Sequence, residues 1–317
     1  MKRILVTGAS GFVGKELCAY LSQAGFDVTG LTRTQNINLP NVHLVESSLD
    51  VIPATSRVLM NSDCVIHLAG RAHQLNDRAI SPLDEFRAVN RDLTITFARS
   101  CIAAGIKRFV FISSIGVNGS ETFAAPFTED SVCTPTADYA LSKYEAEIEL
   151  CKLFENSASE LVIVRPPLVY AADAPGNFNR LLKLVSLGVP LPFGCVRNQR
   201  SMISLRNLVS FISLAATHPR AANETFLIAD TEPLSLPEIL KSLSEGMSRR
   251  SFLLPVPAAL LTTAATVFGK SAIIKQLCGS LVVDSSKSRI LLGWQPIETS
   301  RQGLTRTGRS YSNKSEV

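Results

Sequence analysis

The sequence predicts an α/β chain built on a doubly wound parallel sheet, and three observations predict it. Short apolar runs alternate with helically spaced segments through the first half. The runs are apolar at consecutive positions, as strands buried on both faces require. After Arg165 the alternation gives way to dense proline and glycine, at 166, 167, 175, 176, 188, 190, 192 and 194, which predicts a smaller mixed lobe at the C-terminal end.

Taken in order, Arg3 to Thr7 reads as the first strand, and Lys15 to Ala24 as a helix with Leu17, Cys18 and Leu21 on one face. Phe26 to Leu31, Val42 to Val45 and Cys64 to Leu68 are the next three strands. Glu85 to Ala104 is a long helix, with Gly105 placed to cap it. Arg108 to Ile112 is a strand, Tyr139 to Phe154 a helix and Leu161 to Val164 the sixth strand. Thr225 to Ala229 reads as a strand returning from the second half. The expected division is 1–170 for the first domain and 171–317 for the second lobe, with a returning segment near 200–230.

Of the 317 residues, 46% are hydrophobic and 19% charged, with a net charge of +5, which suits a globular core and excludes disorder or coiled coil. No Lys/Arg cluster occurs, so nucleic-acid binding is not expected. Seven cysteines form no C-x-x-C pair, and four histidines, at 43, 67, 73 and 218, form no metal-binding spacing. Reduced thiols, no bound metal and a cytoplasmic setting are therefore expected. Met-Lys-Arg runs directly into a strand, so no signal peptide is expected. Phe252 to Val283 is the most apolar late stretch, but two prolines, Lys270 and Lys275 interrupt it. It reads as a docked helix rather than an integral membrane segment, with peripheral membrane contact as the alternative.

Gly8-Ala9-Ser10-Gly11-Phe12-Val13-Gly14 follows the first strand and opens the first helix. Glycines at this spacing allow a tight turn, close backbone approach to a pyrophosphate and close helix–strand packing, while the helix N-terminus offers free N–H groups. A phosphate-binding P-loop is excluded because Ala9 and Glu16 stand where it needs Gly and Ser/Thr. The motif predicts a Rossmann-type dinucleotide site. No acid lies between Asp27 and Glu46. Thr32 and Arg33 therefore favour the 2′-phosphate of NADP(H), with NAD(H) left open.

Tyr139 and Lys143 stand at i and i+4 of a helix, so they share a face about 5–6 Å apart at Cβ. An ammonium beside a phenol is expected to pull its pKa down towards neutrality, making a proton donor and acceptor for a carbonyl or hydroxyl oxygen. Ser113 and Ser114 end the fifth strand, at the carboxyl edge where such sheets place ligands.

These residues, with His67-Leu68-Ala69-Gly70, Asn90, Phe111 to Ser114, Arg165-Pro166-Pro167-Leu168-Val169-Tyr170, Gly176 to Phe178, Leu191 to Gly194, Arg200 to Asn207 and Leu291 to Pro296, resemble the extended short-chain dehydrogenase/reductases that act on nucleotide sugars. The resemblance spans nearly the whole chain. It implies Ser114, Tyr139 and Lys143 as the catalytic set. Ser114 would bind the sugar C4 oxygen, and Lys143 would also hold the nicotinamide ribose. It implies Gly8, Gly11, Phe12, Val13, Gly14, Leu68, Ala69, Asn90 and Pro166 around the dinucleotide, beside the Arg33 already expected there. Asn177 and Arg200 would meet the diphosphate of a UDP-sugar, and Leu191 to Gly194 would border the base. A homodimer through the helices of Glu85–Ala104 and Tyr139–Phe154 is also implied. Two departures stand out: Ser47-Ser48 replaces the usual Gly-Asp after the third strand, and Arg33 replaces an acid.

Within the family the chain looks most like the 4-ketoreductases that form UDP-N-acetylquinovosamine for O-antigen and lipopolysaccharide, reducing a UDP-2-acetamido-2,6-dideoxyhexos-4-ulose with NAD(P)H. The alternative is a UDP-sugar 4-epimerase, of UDP-glucose or UDP-N-acetylglucosamine type, with tightly held NAD. A non-catalytic dinucleotide sensor is the reading from another class. A dehydratase is disfavoured because Thr136, Ala137 and Asp138 precede the tyrosine, with no Asp-Glu pair.

Overall fold

Alternating apolar side chains on consecutive strand residues need cover on both faces, and the chain supplies it with helices on each side of one sheet. The computed structural model describes residues 2–33, 38–71, 81–257, 260, 261, 263, 266 and 271–315. His73 and Lys270 lie outside them, as does part of the apolar stretch that begins at Phe252.

The main sheet contains β1 (Arg3–Thr7), β2 (Asp27–Thr32), β3 (His43–Glu46), β4 (Cys64–His67), β5 (Arg108–Ile112), β6 (Glu160–Arg165) and β9 (Thr225–Leu227). Their order is β3-β2-β1-β4-β5-β6-β9, all parallel. Between them run α1 (Phe12–Gln23), the short α2 (Arg57–Met60), α3 (Pro82–Arg87), α4 (Leu93–Ala103) and α5 (Asp138–Phe154). On one face Ile4, Val6, Ile66, Val110 and Val162 pack under α1 and α7 (Leu205–Ala215), with Trp294 completing the layer. On the other, Leu5, Val65, Phe109, Phe111 and Ile163 pack under α4 and α5. The reversal of strand order falls between β1 and β4, which opens a crevice at their carboxyl ends.

The second core gathers Tyr170, Phe178, Leu182, Leu191, Met202, Leu240 and Leu304. It lies among α6 (Asn177–Ser186), α8 (Leu236–Gly246), α9 (Ser271–Cys278) and α11 (Ser300–Ser315), with α10 (Ser286–Leu292) near β9. A two-stranded parallel sheet of β7 (Leu168–Tyr170) and β8 (Met202–Ser204) joins the two cores. On these cores we propose the division at 170, with residues 205–227 returning to the first domain.

Three local differences from the sequence expectation have physical reasons. α1 starts at Phe12 rather than Lys15 because the glycine turn feeds directly into it, with the Lys15 amide already donating to the Gly11 carbonyl. The long helix begins at Pro82, whose missing N–H suits a first turn. It loosens into a π-helical segment at Ala88–Asp92, where Asn90 turns inward. Gly105, at φ +79°, ends it as expected.

Candidate functional site

The crevice between β1 and β4 is a cavity of about 450 Å³. Its lining includes Gly8, Ser10, Gly11, Leu68, Ala69 and Gly70, with Thr32, Arg33, Ser47, Ser48 and Arg71 towards one end and no acidic residue among the described ones. Gly8 adopts φ +70°, and a Cβ there would meet the Ala69 amide nitrogen at 2.9 Å. At Gly14 a Cβ would lie 2.1 Å from the Gly8 carbonyl oxygen. The glycines thus let the turn close against the β4 loop and let the helix sit on the turn. No side chain caps the N-terminus of α1, so its first amides remain donors for an anion. The cradle, its free amides and its acid-free lining fit the pyrophosphate of a dinucleotide. Phe12 and Val13 open α1 directly behind the turn. The Phe12 ring packs against both cores and pins the turn to the second lobe.

A buried relay holds the crevice open. The Ala69 amide donates to Thr7 Oγ1 (3.1 Å). Thr7 Oγ1 also pairs with His67 Nδ1 (3.0 Å), and His67 Nε2 pairs with Thr94 Oγ1 (3.1 Å). Burial, then the nearby Lys143 charge, pushes the His67 imidazole down to about 3. It is a neutral scaffold group, stacked among Phe97, Phe109 and Phe111.

Asn90 is fully buried, and its amide is spent on protein partners. Oδ1 accepts from the Arg71 amide (2.8 Å), while Nδ2 donates to the Arg71 carbonyl (3.1 Å) and Ser142 Oγ (3.1 Å). It clasps the Leu68–Arg71 loop, part of the cavity lining, to α5.

Tyr139 opens α5, half-buried, with the Phe86 ring edge-on at 6.0 Å. Lys143, one turn on, is buried. Its Nζ donates to the Ile112 carbonyl (3.1 Å) and lies 4.6 Å from the Phe111 ring centroid. A Cβ on Gly70 would lie 3.4 Å from Lys143 Nζ, so the lysine borders the glycine-lined cavity. Ser114 caps a 3-10 turn (Ile115–Val117), and its Oγ accepts from the Gly116 amide (3.1 Å). Gly116 packs on Ala140 of α5, and the Pro166 carbonyl accepts from the Ile115 amide (2.9 Å). The serine turn is thereby fixed against the helix that carries Tyr139 and Lys143.

One expectation is overturned. Lys143 does not lower the Tyr139 pKa here: burial pushes the phenol up to about 12. Burial likewise brings the Lys143 ammonium down to about 8, opposed by the Glu147 charge. Desolvation is the one cause of the Tyr139 shift and the larger cause of the Lys143 shift.

In the second lobe Asn177 Nδ2 donates to Gln276 Oε1 (3.1 Å), and Arg200 Nη1 donates to the carbonyls of Gln276 (2.8 Å) and Gly279 (3.1 Å). Gln276, which carries no sequence signal, joins the two expected diphosphate residues. Burial lowers the Arg200 guanidinium from its usual value, against the charge of Glu121. This lobe is laced to the serine turn. The Thr122 amide donates to the Ser280 carbonyl (2.8 Å), and the Val282 amide donates to Thr122 Oγ1 (2.9 Å). Among the described residues no three His, Cys, Asp or Glu side chains converge as metal ligands. No helix among them is long and apolar enough to cross a membrane.

Residues 4–229 match the NAD dependent epimerase/dehydratase family. The chain is 38% identical to a UDP-glucose 4-epimerase of Vibrio cholerae, over 98% of this chain and 95% of the relative. It is 27% identical to the N-acetyl-α-D-glucosaminyl-diphospho-ditrans,octacis-undecaprenol 4-epimerase of Escherichia coli O157:H7, over 96% and 93%. The fold superposes on a crystal structure of UDP-glucuronic acid 4-epimerase from Bacillus cereus in complex with NAD, with a TM-score of 0.78 at 21% identity, covering 98% of this chain and 99% of that one.

Proposed function

The chain belongs to the NAD dependent epimerase/dehydratase family, and we propose that within it the protein is a UDP-sugar 4-epimerase, turning over UDP-glucose or UDP-N-acetylglucosamine. The observation that carries the reading is the meeting of Lys143 with the glycine-lined cavity, one helical turn from Tyr139 and beside the Ser114 turn. The end-to-end similarity to a UDP-glucose 4-epimerase supports epimerisation ahead of ketoreduction, reversing the order expected from sequence.

A nicotinamide dinucleotide in that cavity supplies reversible acceptance of hydride from a sugar carbon. The amides of Gly11 to Gly14 would hold its pyrophosphate, and Arg33 and the two serines would border its adenosine end. Tyr139 takes the proton from the C4 hydroxyl as that carbon is oxidised, and returns it after the ketone has presented its other face. With a phenol near 12, this transfer depends on the neighbouring ammonium to hold the phenolate. Lys143 gives one N–H to Ile112 and keeps two for a ribose and for Tyr139. Ser114 Oγ already accepts from Gly116, so its own O–H is left to donate to the C4 oxygen, where charge develops.

The ketoreductase forming UDP-N-acetylquinovosamine is the second reading. Its support is the acid-free end of the cavity at Arg33, Ser47 and Ser48, which suits an exchangeable NADP(H). Purified protein given UDP-glucose without added cofactor should form UDP-galactose, with no net change at the NAD(P)H absorbance band. Failure there, with stoichiometric NAD(P)H consumption on the 4-keto-6-deoxy-N-acetylhexosamine nucleotide, would transfer the assignment to the reductase.

A further inference from the structure

The second lobe carries an exposed apolar strip that the catalytic reading does not use. Leu187, Val189, Phe252, Leu254 and Leu260 are each between 46% and 67% exposed. They are contiguous through the backbone: the Leu191 amide donates to the Phe252 carbonyl (2.8 Å), and the Leu254 amide donates back to Leu191 (2.8 Å). A strip of this kind, unlike single exposed side chains, marks an interaction surface.

Two further observations specify its partner. Arg249 and Arg250 stand immediately before Phe252, and Lys183 stands one turn before Leu187, all exposed, with Glu245 the acid among them. Arg249 Nη1 lies 3.5 Å from the position of a Cβ on Gly188, between Leu187 and Val189. The cations therefore border the apolar side chains. In addition, this edge offers few unsatisfied donors. Residues 190, 255 and 257 are prolines, and the amides of Leu191, Leu254 and Val256 are bonded within the chain. Backbone placed against lipid must be satisfied internally.

We propose that this strip docks the protein on an anionic lipid bilayer, with Phe252 and Leu254 at the headgroup–acyl boundary and Arg249, Arg250 and Lys183 on lipid phosphates. The association is peripheral. The inference is independent of which sugar is turned over. The docked strip shares its backbone bonds with the Leu191–Gly194 segment, the expected neighbour of the nucleotide base.

The test is sedimentation of the full chain with vesicles of phosphatidylcholine containing a minority of phosphatidylglycerol, against phosphatidylcholine alone. The expected result is binding to the anionic vesicles that fades at high salt. Arg249→Gln with Arg250→Gln should weaken it about five-fold per arginine, with an unchanged melting temperature and unchanged turnover of soluble substrate. Phe252→Ser with Leu254→Ser should weaken it at least about ten-fold. If that pair fails to fold, the arginine variant decides alone. Absence of binding, equal binding to both vesicle types, or wild-type binding by the arginine variant overturns the proposal. So does a solution dimer that dissociates on Phe252→Ser.

Discussion

Lys143 Nζ donates to the main-chain carbonyl of Ile112 at 3.1 Å, tying the middle of α5 to the carboxyl end of β5. The contact brings a charge into a buried place, and its cost and its use can be measured separately. Burial lowers the ammonium from its ordinary 10.5 to about 8. Between those values the unfolded chain holds a proton that the folded chain has lost, so folding stability rises as pH climbs from about 8 to 10.5. At neutral pH the charged native lysine is a liability.

Lys143→Met should therefore stabilise the fold at pH 7 by about 1–3 kcal/mol while lowering turnover at least about 100-fold. The rise in stability between about pH 8 and 10.5 should vanish. Thermal unfolding across pH, with a pH–rate profile, checks both. A destabilised variant with wild-type turnover would remove the role given to Lys143.

Tyr139→Phe keeps the ring that meets Phe86 edge-on at 6.0 Å and removes only the phenol oxygen. Turnover should fall by about 10²–10⁴, with stability within about 0.5 kcal/mol of wild type. Steady-state rates alongside melting curves decide it. Unchanged turnover would mean that another group moves the proton.

Arg33 is exposed at the rim of the cavity. If it meets a 2′-phosphate, Arg33→Ala should weaken NADPH more than NADH by a charge-assisted hydrogen bond, about 1.5–3 kcal/mol at most. Titration of both cofactors reads the difference. Equal losses would make Arg33 a support for its loop.

Asp230 accepts from Tyr170 Oη (2.6 Å), Asn207 Nδ2 (2.7 Å) and the Ser204 amide (3.0 Å) inside the second core. Burial raises its carboxyl to about 6 from an ordinary 3.8, although the three donors oppose the shift. A raised folded pKa contributes stability below about pH 4 that is lost as pH rises through 6, on the order of 2–3 kcal/mol. Asp230→Ala should lack that decline. At neutral pH it should lose about 2–4 kcal/mol, because it leaves buried donors unpaired. Melting temperatures from pH 4 to 7 compare the two slopes.

Much of the site was legible because its signals are local. The glycine spacing from Gly8 to Gly14 speaks for a turn, and the four-residue step from Tyr139 to Lys143 places both on one helix face. Strand runs such as Arg108 to Ile112 announce themselves by apolar continuity, and β9 was anticipated within two residues. The second lobe was less legible. Three-residue strands like β7 and β8 are too short for periodicity to register.

The sequence by itself determined the alternation that builds the sheet, the phosphate turn and the candidate catalytic residues, because turn chemistry and helical period act over a few neighbouring positions. Only the tertiary structure decided where the Asn90 amide is spent, that Gln276 joins Asn177 to Arg200, and that the Lys143 and Tyr139 pKa values move apart from the simple pairing expectation. Those outcomes depend on desolvation and on partners many residues away, and neither leaves a mark on local sequence spacing.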